Sequence, residues 1–151
     1  MLNSTRKCVC VIDGQGGGIG STIIKKLKSV YGESIEIIAL GTNAIATAHM
    51  LKAKANRGAT GENAIIHTIG QADVIAGTLG VVLANAMMGE MTPQMAAAVA
   101  SSPAVKLLLP LCQENTIVVG GAKDPLPHLV DELVDGHLHH ILAQVTPEPV
   151  R

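Results

Sequence analysis

The residues best placed to do chemistry form one run, Asp13-Gly14-Gln15-Gly16-Gly17-Gly18-Ile19-Gly20. It lies between a short apolar, β-branched segment and an amphipathic one, where a strand would turn into a helix. The first turn of a helix carries unpaired backbone N–H groups and partial positive charge, so it favours anions. Glycines there let the backbone approach a phosphate with no Cβ in the way. Backbone N–H groups of Gly16 to Gly20 are therefore the expected phosphate donors, and Asp13 is expected to accept hydrogen bonds from the turn. Ligands of open α/β sheets sit at the carboxyl ends of the strands. Gly41, Thr42 and Asn43 after the next apolar run, and Gly77 and Thr78 after a later one, are expected to join the site. Thr42, Asn43 or Thr78 would bond a sugar or base. The other reading of the same glycines is tight packing of helix on strand, with no ligand. Under the binding reading the turn holds a glycine of positive φ, and free N–H groups there face a pocket.

The remaining candidates are weaker. His137 and His140 are three apart on one helix face, with Glu132 and Asp135 near, a spacing that could chelate a metal. Solvated surface histidines are the plainer expectation for them and for His139, and no metal site is assigned. His49 and His67 are isolated, and no Gly-x-Ser-x-Gly nucleophile elbow occurs. Cys8 and Cys10 alternate with valines and read as small buried hydrophobes on one strand face; with Cys112 they make no disulfide framework. No catalytic residue and no reaction can be named.

Elements that would position the turn follow from periodicity. Cys8 to Ile12 reads as a buried strand. Ile19, Ile23, Ile24, Leu27 and Val30 recur at spacings of three and four, an amphipathic helix ended by Gly32. Ile35 to Leu40 closes the strand–helix–strand unit, whose crossover should be right-handed. Thr42 or Asn43 caps a helix running to about Asn56, with Gly58 as its terminal glycine. Ala64 to Ile69 and Asp73 to Ala76 read as short strands, followed by a helix from about Leu79 to Gly89. Thr92-Pro93 starts another helix. Val105 to Leu111 and Thr116 to Gly120, joined by Cys112-Gln113-Glu114-Asn115, read as an antiparallel hairpin. A last helix carries Leu126, Leu129, Val130, Leu133, Val134, Leu138, Ile141, Leu142 and Val145. The alternation predicts one α/β domain over residues 1–151. It is a three-layer sandwich with a mostly parallel sheet, a C-terminal hairpin and a helix.

Composition limits the partners. The formal net charge is −1 and there is one aromatic residue, Tyr31. Neither a basic footprint nor stacking rings for nucleic acid are present. Charged residues make up 15% and hydrophobic ones 48%, which excludes disorder. The uncharged run from Val74 to Gly89 is shorter than the ~20 residues of a spanning helix and is closed by Asp73 and Glu90. The polar start, Met1 to Lys7, is unlike a signal peptide. A cytoplasmic protein with no membrane or nucleic-acid partner is expected. The apolar excess and the cluster Met87, Met88, Met91 and Met95 point to a homodimer, with Met87, Met88, Met91 or the Ala96–Ala98 stretch in the contact.

Three resemblances follow. Gly14-x-x-x-Gly18-Ile19-Gly20 resembles the glycine turn of short-chain dehydrogenases over the first forty or so residues. The likeness then departs: Leu40-Gly41-Thr42-Asn43 supplies no acid for a ribose diol and no Arg for a 2′-phosphate. Tyr31 is followed four places on by Ile35 rather than Lys, and the chain is too short for the substrate-binding half. Gly17-Gly18-Ile19-Gly20-Ser21-Thr22 looks like the end of an ATPase phosphate loop, but Ser21 stands where the lysine belongs and Gln15 where the first glycine belongs. Across nearly its whole length the chain resembles a short, uncharacterised bacterial family classed as a domain of unknown function. The resemblance is carried by Val11 to Gly20, Ala72 to Gly77, Gly89-Glu90-Met91-Thr92-Pro93 and Pro103 to Pro110. It implies a cytoplasmic Rossmann-like protein and no activity. The functional expectation is a Rossmann-like domain that binds a nucleotide, dinucleotide or other small phosphate-bearing ligand at Asp13–Gly20. The alternative is an oligomeric regulatory or scaffold protein whose turn is purely structural.

Overall fold

The computed structural model describes residues 6–111 and 115–144. Strands β1 (Lys7–Asp13), β2 (Ile35–Gly41), β3 (Arg57–Thr60), β4 (Val74–Thr78) and β5 (Val105–Leu109) form one sheet. Its order is β3-β2-β1-β4-β5 and every pairing is parallel. Parallel strands covered on both faces read as unbroken apolar runs, as β1 and β2 do. Alternate residues divide between two cores. Val9, Val11, Ile37 and Ala39 face a layer with Ile23, Ile24 and Leu27 of α1 (Gly18–Tyr31), Met50 of α2 (Ala44–Lys52) and the C-terminal helix. Cys8, Cys10, Ile12, Ile38 and Leu40 face Ile65 of α3 (Glu62–Thr68) and Met95 and Val99 of α4 (Pro93–Ser101). The expected three-layer α/β sandwich is therefore present, and both strand cysteines are buried on one face.

Caps set the helix boundaries. Asn43 caps α2 through its side chain on Ala46 N, and Thr92 caps α4 on Met95 N, with Pro93 at the first position as expected. Gly32 closes α1 with φ 54°. The C-terminal helix runs as α5 (Leu126–Asp131), a π-helical stretch (Glu132–Leu138) and α6 (His139–Gln144). No helix among the described residues is long and apolar enough to cross a membrane.

Four elements differ from the expectation. Helix α2 stops at Lys52, and Gly58 lies inside β3, where an added Cβ would meet the Leu51 side chain at 3.0 Å. Residues Ala64 to Thr68 are helical, not a strand: Ile65 and Ile69, four apart, are buried while Ile66 and His67 are exposed, which follows a helical face rather than alternation. The expected helix from Leu79 is one 3₁₀ turn, Leu79–Val82, followed by a loop. No strand forms at Thr116 to Gly120, and β5 pairs in parallel with β4, so the C-terminal hairpin is absent from the described residues. Its turn falls partly on residues 112–114, outside the described residues. Residues Ile117 and Val119 point outward, 88% and 95% exposed, with no sheet neighbour to bury them.

Candidate functional site

Strands β1, β2 and β4 end side by side, with Asp13 in register with Gly41 and Val11 with Ala76. Helix α1 leaves β1 toward one core, and the elements after β4 pack in the other. The sheet order reverses between these strands, which is where open α/β sheets form a ligand crevice.

The turn from β1 to α1 is built around Asp13. The side chain is buried, Oδ1 accepts from Gly14 N at 2.8 Å and Oδ2 from Gly20 N at 2.7 Å. Burial pushes its pKa up and outweighs the two N–H groups that pull it down. Both carboxylate oxygens are thus committed to the backbone, the role expected from sequence. Gly17 stands at the helix start with φ 73°, a left-handed conformation that favours glycine. A Cβ there would lie 2.8 Å from the Ala46 carbonyl oxygen.

Every carbonyl of the turn accepts a hydrogen bond. Thr42 N donates to Asp13 O at 3.0 Å, Gly17 N to Gly14 O at 2.9 Å and Ser21 N to Gly17 O at 2.9 Å. Asn43 Nδ2 donates to Gln15 O at 3.0 Å. His49 Nδ1 lies 2.8 Å from Gly16 O, and since a carbonyl only accepts, Nδ1 carries the proton. The N–H groups of Gly16, Gly18 and Ile19 have no hydrogen-bond partner among the described residues. Gly16 and Gly18 are exposed, and a Cβ at either would meet nothing within 4 Å. The turn surface is therefore a set of donors with its acceptors used up.

Glu90 is the residue that sequence reasoning missed. Its Oε1 accepts from Gln15 N at 2.9 Å, Thr42 Oγ1 at 2.6 Å and Asn43 Nδ2 at 2.8 Å. The Thr42 hydroxyl, first among these, holds the carboxyl below its usual pKa. The loop that brings it in is anchored by buried Ala86 and Met91, through Met91 N on Ala86 O at 3.1 Å and Asn85 N on Met91 O at 2.7 Å. Asn85, Met87 and Met88 all have positive φ, and for the two methionines this costs about 1–2 kcal/mol each. Gly14 has no room for a side chain, because a Cβ would meet Thr42 Oγ1 at 2.5 Å and Met87 Sδ at 2.6 Å.

The other expected site residues sit at the same sheet end in different roles. Gly41 and Gly77 are close-approach positions: a Cβ at Gly77 would lie 2.9 Å from Ile12 O, and one at Gly41 would overlap Thr47 Oγ1. Thr78 is buried at the head of the 3₁₀ turn. The Thr42 hydroxyl and the Asn43 amide donate to Glu90, which leaves Thr42 its acceptor lone pairs toward a ligand. Two cavities lie away from the turn. One of about 290 Å³ runs between β5 and the C-terminal helix, past Leu107, Leu129, Leu133 and His137. Another of about 340 Å³ is bounded by Lys7, Tyr31, Ser34, Ile35 and His139. The turn carries the expected positive-φ glycine, Gly17, and neither of these two cavities reaches it.

His137 Nε2 lies 3.4 Å from Glu132 Oε1, and His137, His139 and His140 are exposed. No group of three metal-ligating side chains occurs among the described residues. Of the residues expected in a dimer contact, Met91 and Ala96 are buried within the subunit, whereas Met88, at 95%, and Ala97 are exposed.

The family model described as a domain of unknown function (DUF3842) matches residues 8–142. No curated protein matches the chain. Among solved structures, the chain is similar to a dodecameric FMN-dependent UbiX-like decarboxylase from Escherichia coli O157:H7. The likeness has 10% identity and a TM-score of 0.42, over 96% of this chain and 98% of that one. At that level neither its ligand nor its assembly transfers.

Proposed function

The chain belongs to this family, DUF3842, whose description assigns no function, and we propose that it binds a small phosphate-bearing ligand, a nucleotide or dinucleotide, at the β1–α1 turn. The observation that carries the reading is the imbalance at the turn. Carbonyls from Asp13 to Gly17 are all engaged, while the N–H groups of Gly16, Gly18 and Ile19 are unpaired at the start of a 14-residue helix. Unpaired donors at a helix N-terminus complement an anion. The polar end of the ligand would rest there, with its remainder over the carboxyl ends of the strands beside the turn. A reaction is not part of the proposal.

The competing reading, a regulatory or scaffold protein with a purely structural turn, draws on the two internal carboxylates, which already satisfy Gly14 N, Gln15 N and Gly20 N. Titration with inorganic pyrophosphate, followed by backbone amide NMR, separates the two. Binding at the turn moves the Gly16, Gly18 and Ile19 amides most. Unmoved turn amides at millimolar pyrophosphate, or shifts confined elsewhere, refute it. In a thermal-shift panel of NAD, NADP, ATP, FAD, CoA and S-adenosylmethionine, a true ligand at a hundredfold excess over its Kd adds about 2.7 kcal/mol. A homodimer is part of the same proposal, supported by exposed Met88. Light scattering that returns the mass of one chain at tens of micromolar removes it.

A further inference from the structure

We propose that Glu90 is the specificity-determining residue of this site: it accepts hydrogen bonds from the ribose hydroxyls of a nucleotide and turns away a ribose carrying a 2′-phosphate. The inference rests on the turn binding the phosphate, and names the class of ligand that follows. Dinucleotide-binding α/β folds take the ribose diol on an acid at the end of the second strand. Here β2 ends in Leu40-Gly41 and runs on through Thr42-Asn43, with no acid in the segment. The carboxylate comes instead from a residue 48 positions beyond Thr42, and it is bonded to the side chains of Thr42 and Asn43 together. It is also bonded to Gln15 N, one residue before the first unpaired turn amide. A carboxylate thus stands between the end of β2 and the phosphate donors although the chain has none there in sequence.

Its chemistry favours a hydroxyl ligand. Oε1 takes all three donors, which fixes the group, and Oε2 takes none among the described residues. An ionised carboxylate only accepts, so its complement is a donor such as a sugar hydroxyl, and a phosphate in that place meets like charge. Thr42 and Asn43 direct these donors at Glu90, so the charged acceptor left at this end of β2 is its second oxygen. The fixed geometry is retained despite left-handed backbone at Met87 and Met88 in the same loop.

Calorimetric titration of the full chain with pyrophosphate, ADP, 2′-deoxy-ADP and 2′-phosphoadenosine 5′-diphosphate, all matched in the diphosphate, tests this without relying on any variant. The wild type should bind ADP about tenfold or more tighter than 2′-deoxy-ADP, since a hydrogen bond to a charged acceptor is lost. It should disfavour the 2′-phosphorylated nucleotide further. Glu90→Gln should level the three nucleotides, and Glu90→Asp, which keeps the charge, should retain part of the preference. Equal affinity for ADP and 2′-deoxy-ADP in the wild type overturns the role of Glu90 and leaves the phosphate site standing, provided pyrophosphate binds. Absence of binding by every probe overturns the phosphate site and this inference with it.

Discussion

Replacing Gly17 and Gly18 one at a time by alanine separates what the turn needs for folding from what it offers a ligand. At Gly17 the backbone has φ 73°, and an added Cβ would sit 2.8 Å from Ala46 O and 2.9 Å from Ala46 Cα. The left-handed conformation costs an alanine about 1–2 kcal/mol. Neither close atom belongs to a flexible side chain, so helix α2 must shift, and overpacking of that kind costs a further ~1–3 kcal/mol. Gly17→Ala should therefore lose about 2–5 kcal/mol. For a chain of this size each kcal/mol is about 2–4 °C, so the melting point should fall by at least ~4 °C. Gly18 is the control. It lies one residue on, inside α1, and its Cβ would meet nothing within 4 Å. Gly18→Ala should leave stability unchanged or raise it by about 0.4–1 kcal/mol, because alanine restricts the unfolded chain. Its methyl beside an unpaired amide should nevertheless weaken pyrophosphate. Urea denaturation of both variants, with pyrophosphate titrations, gives the answer. Equal destabilisation by the two substitutions would refute the steric argument.

Three further outcomes are expected. Asp13→Asn keeps an acceptor but sets an amide against one of two N–H donors, Gly14 or Gly20; urea melts should show a loss of about 1–3 kcal/mol, and no loss would mean that the turn does not depend on this carboxylate. The Glu90 carboxyl titrates below its ordinary value of 4.5, so its contribution is fully present above that pH and is lost as pH falls through the lower folded value. Melting curves of Glu90→Gln should therefore depend less on pH than wild type below about 4.5, and parallel curves would show that the carboxylate adds nothing to stability. Tyr31→Phe removes a hydroxyl that donates to Val134 O at 3.2 Å between α1 and the C-terminal helix; a melting-point drop equivalent to about 1 kcal/mol is expected, and an unchanged midpoint counts against that bond.

The first half of the site could be read along the chain because its causes are local. Cys8 to Ile12 are apolar without helical period, the stripe from Ile23 to Leu27 follows at once, and the glycines lie between them, so strand, turn and helix were all legible. Thr92-Pro93 gave its cap for the same reason. Strand β3 was not legible, since Arg57-Gly58-Ala59-Thr60 is an edge strand with little to bury and no apolar run marks it. The β-branched run Thr116 to Val119 misled in the opposite sense: propensity favours a strand there, but no neighbour in the sheet covers its side chains. Glu90 was hidden for a further reason. Its partners are 47, 48 and 75 residues away, and only the tertiary approach of two loops brings them together. The one clue was its place, a single acid beside Gly89 at the end of a long uncharged run.

The π-helical stretch Glu132–Leu138 has a consequence for how the C-terminal helix meets the sheet. Up to Val134 the apolar positions Leu126, Leu129, Val130, Leu133 and Val134 follow an α-helical phase. At about 100° per residue that phase next falls on His137, His140 and Gln144. The apolar residues that follow include Leu138 and Ile141, each one place late, with Leu142 beside them. A wider turn absorbs a single surplus residue, so the late residues stay turned inward and the histidines outward, with Leu138 buried and His137 exposed. The helix thus carries a phase correction at Gly136. Removing that one residue would convert the stretch to ordinary α-helix with its inner face still in step, whereas a one-residue deletion between Ile23 and Leu27 of α1 would swing the rest of its inner face about 100° out of the core.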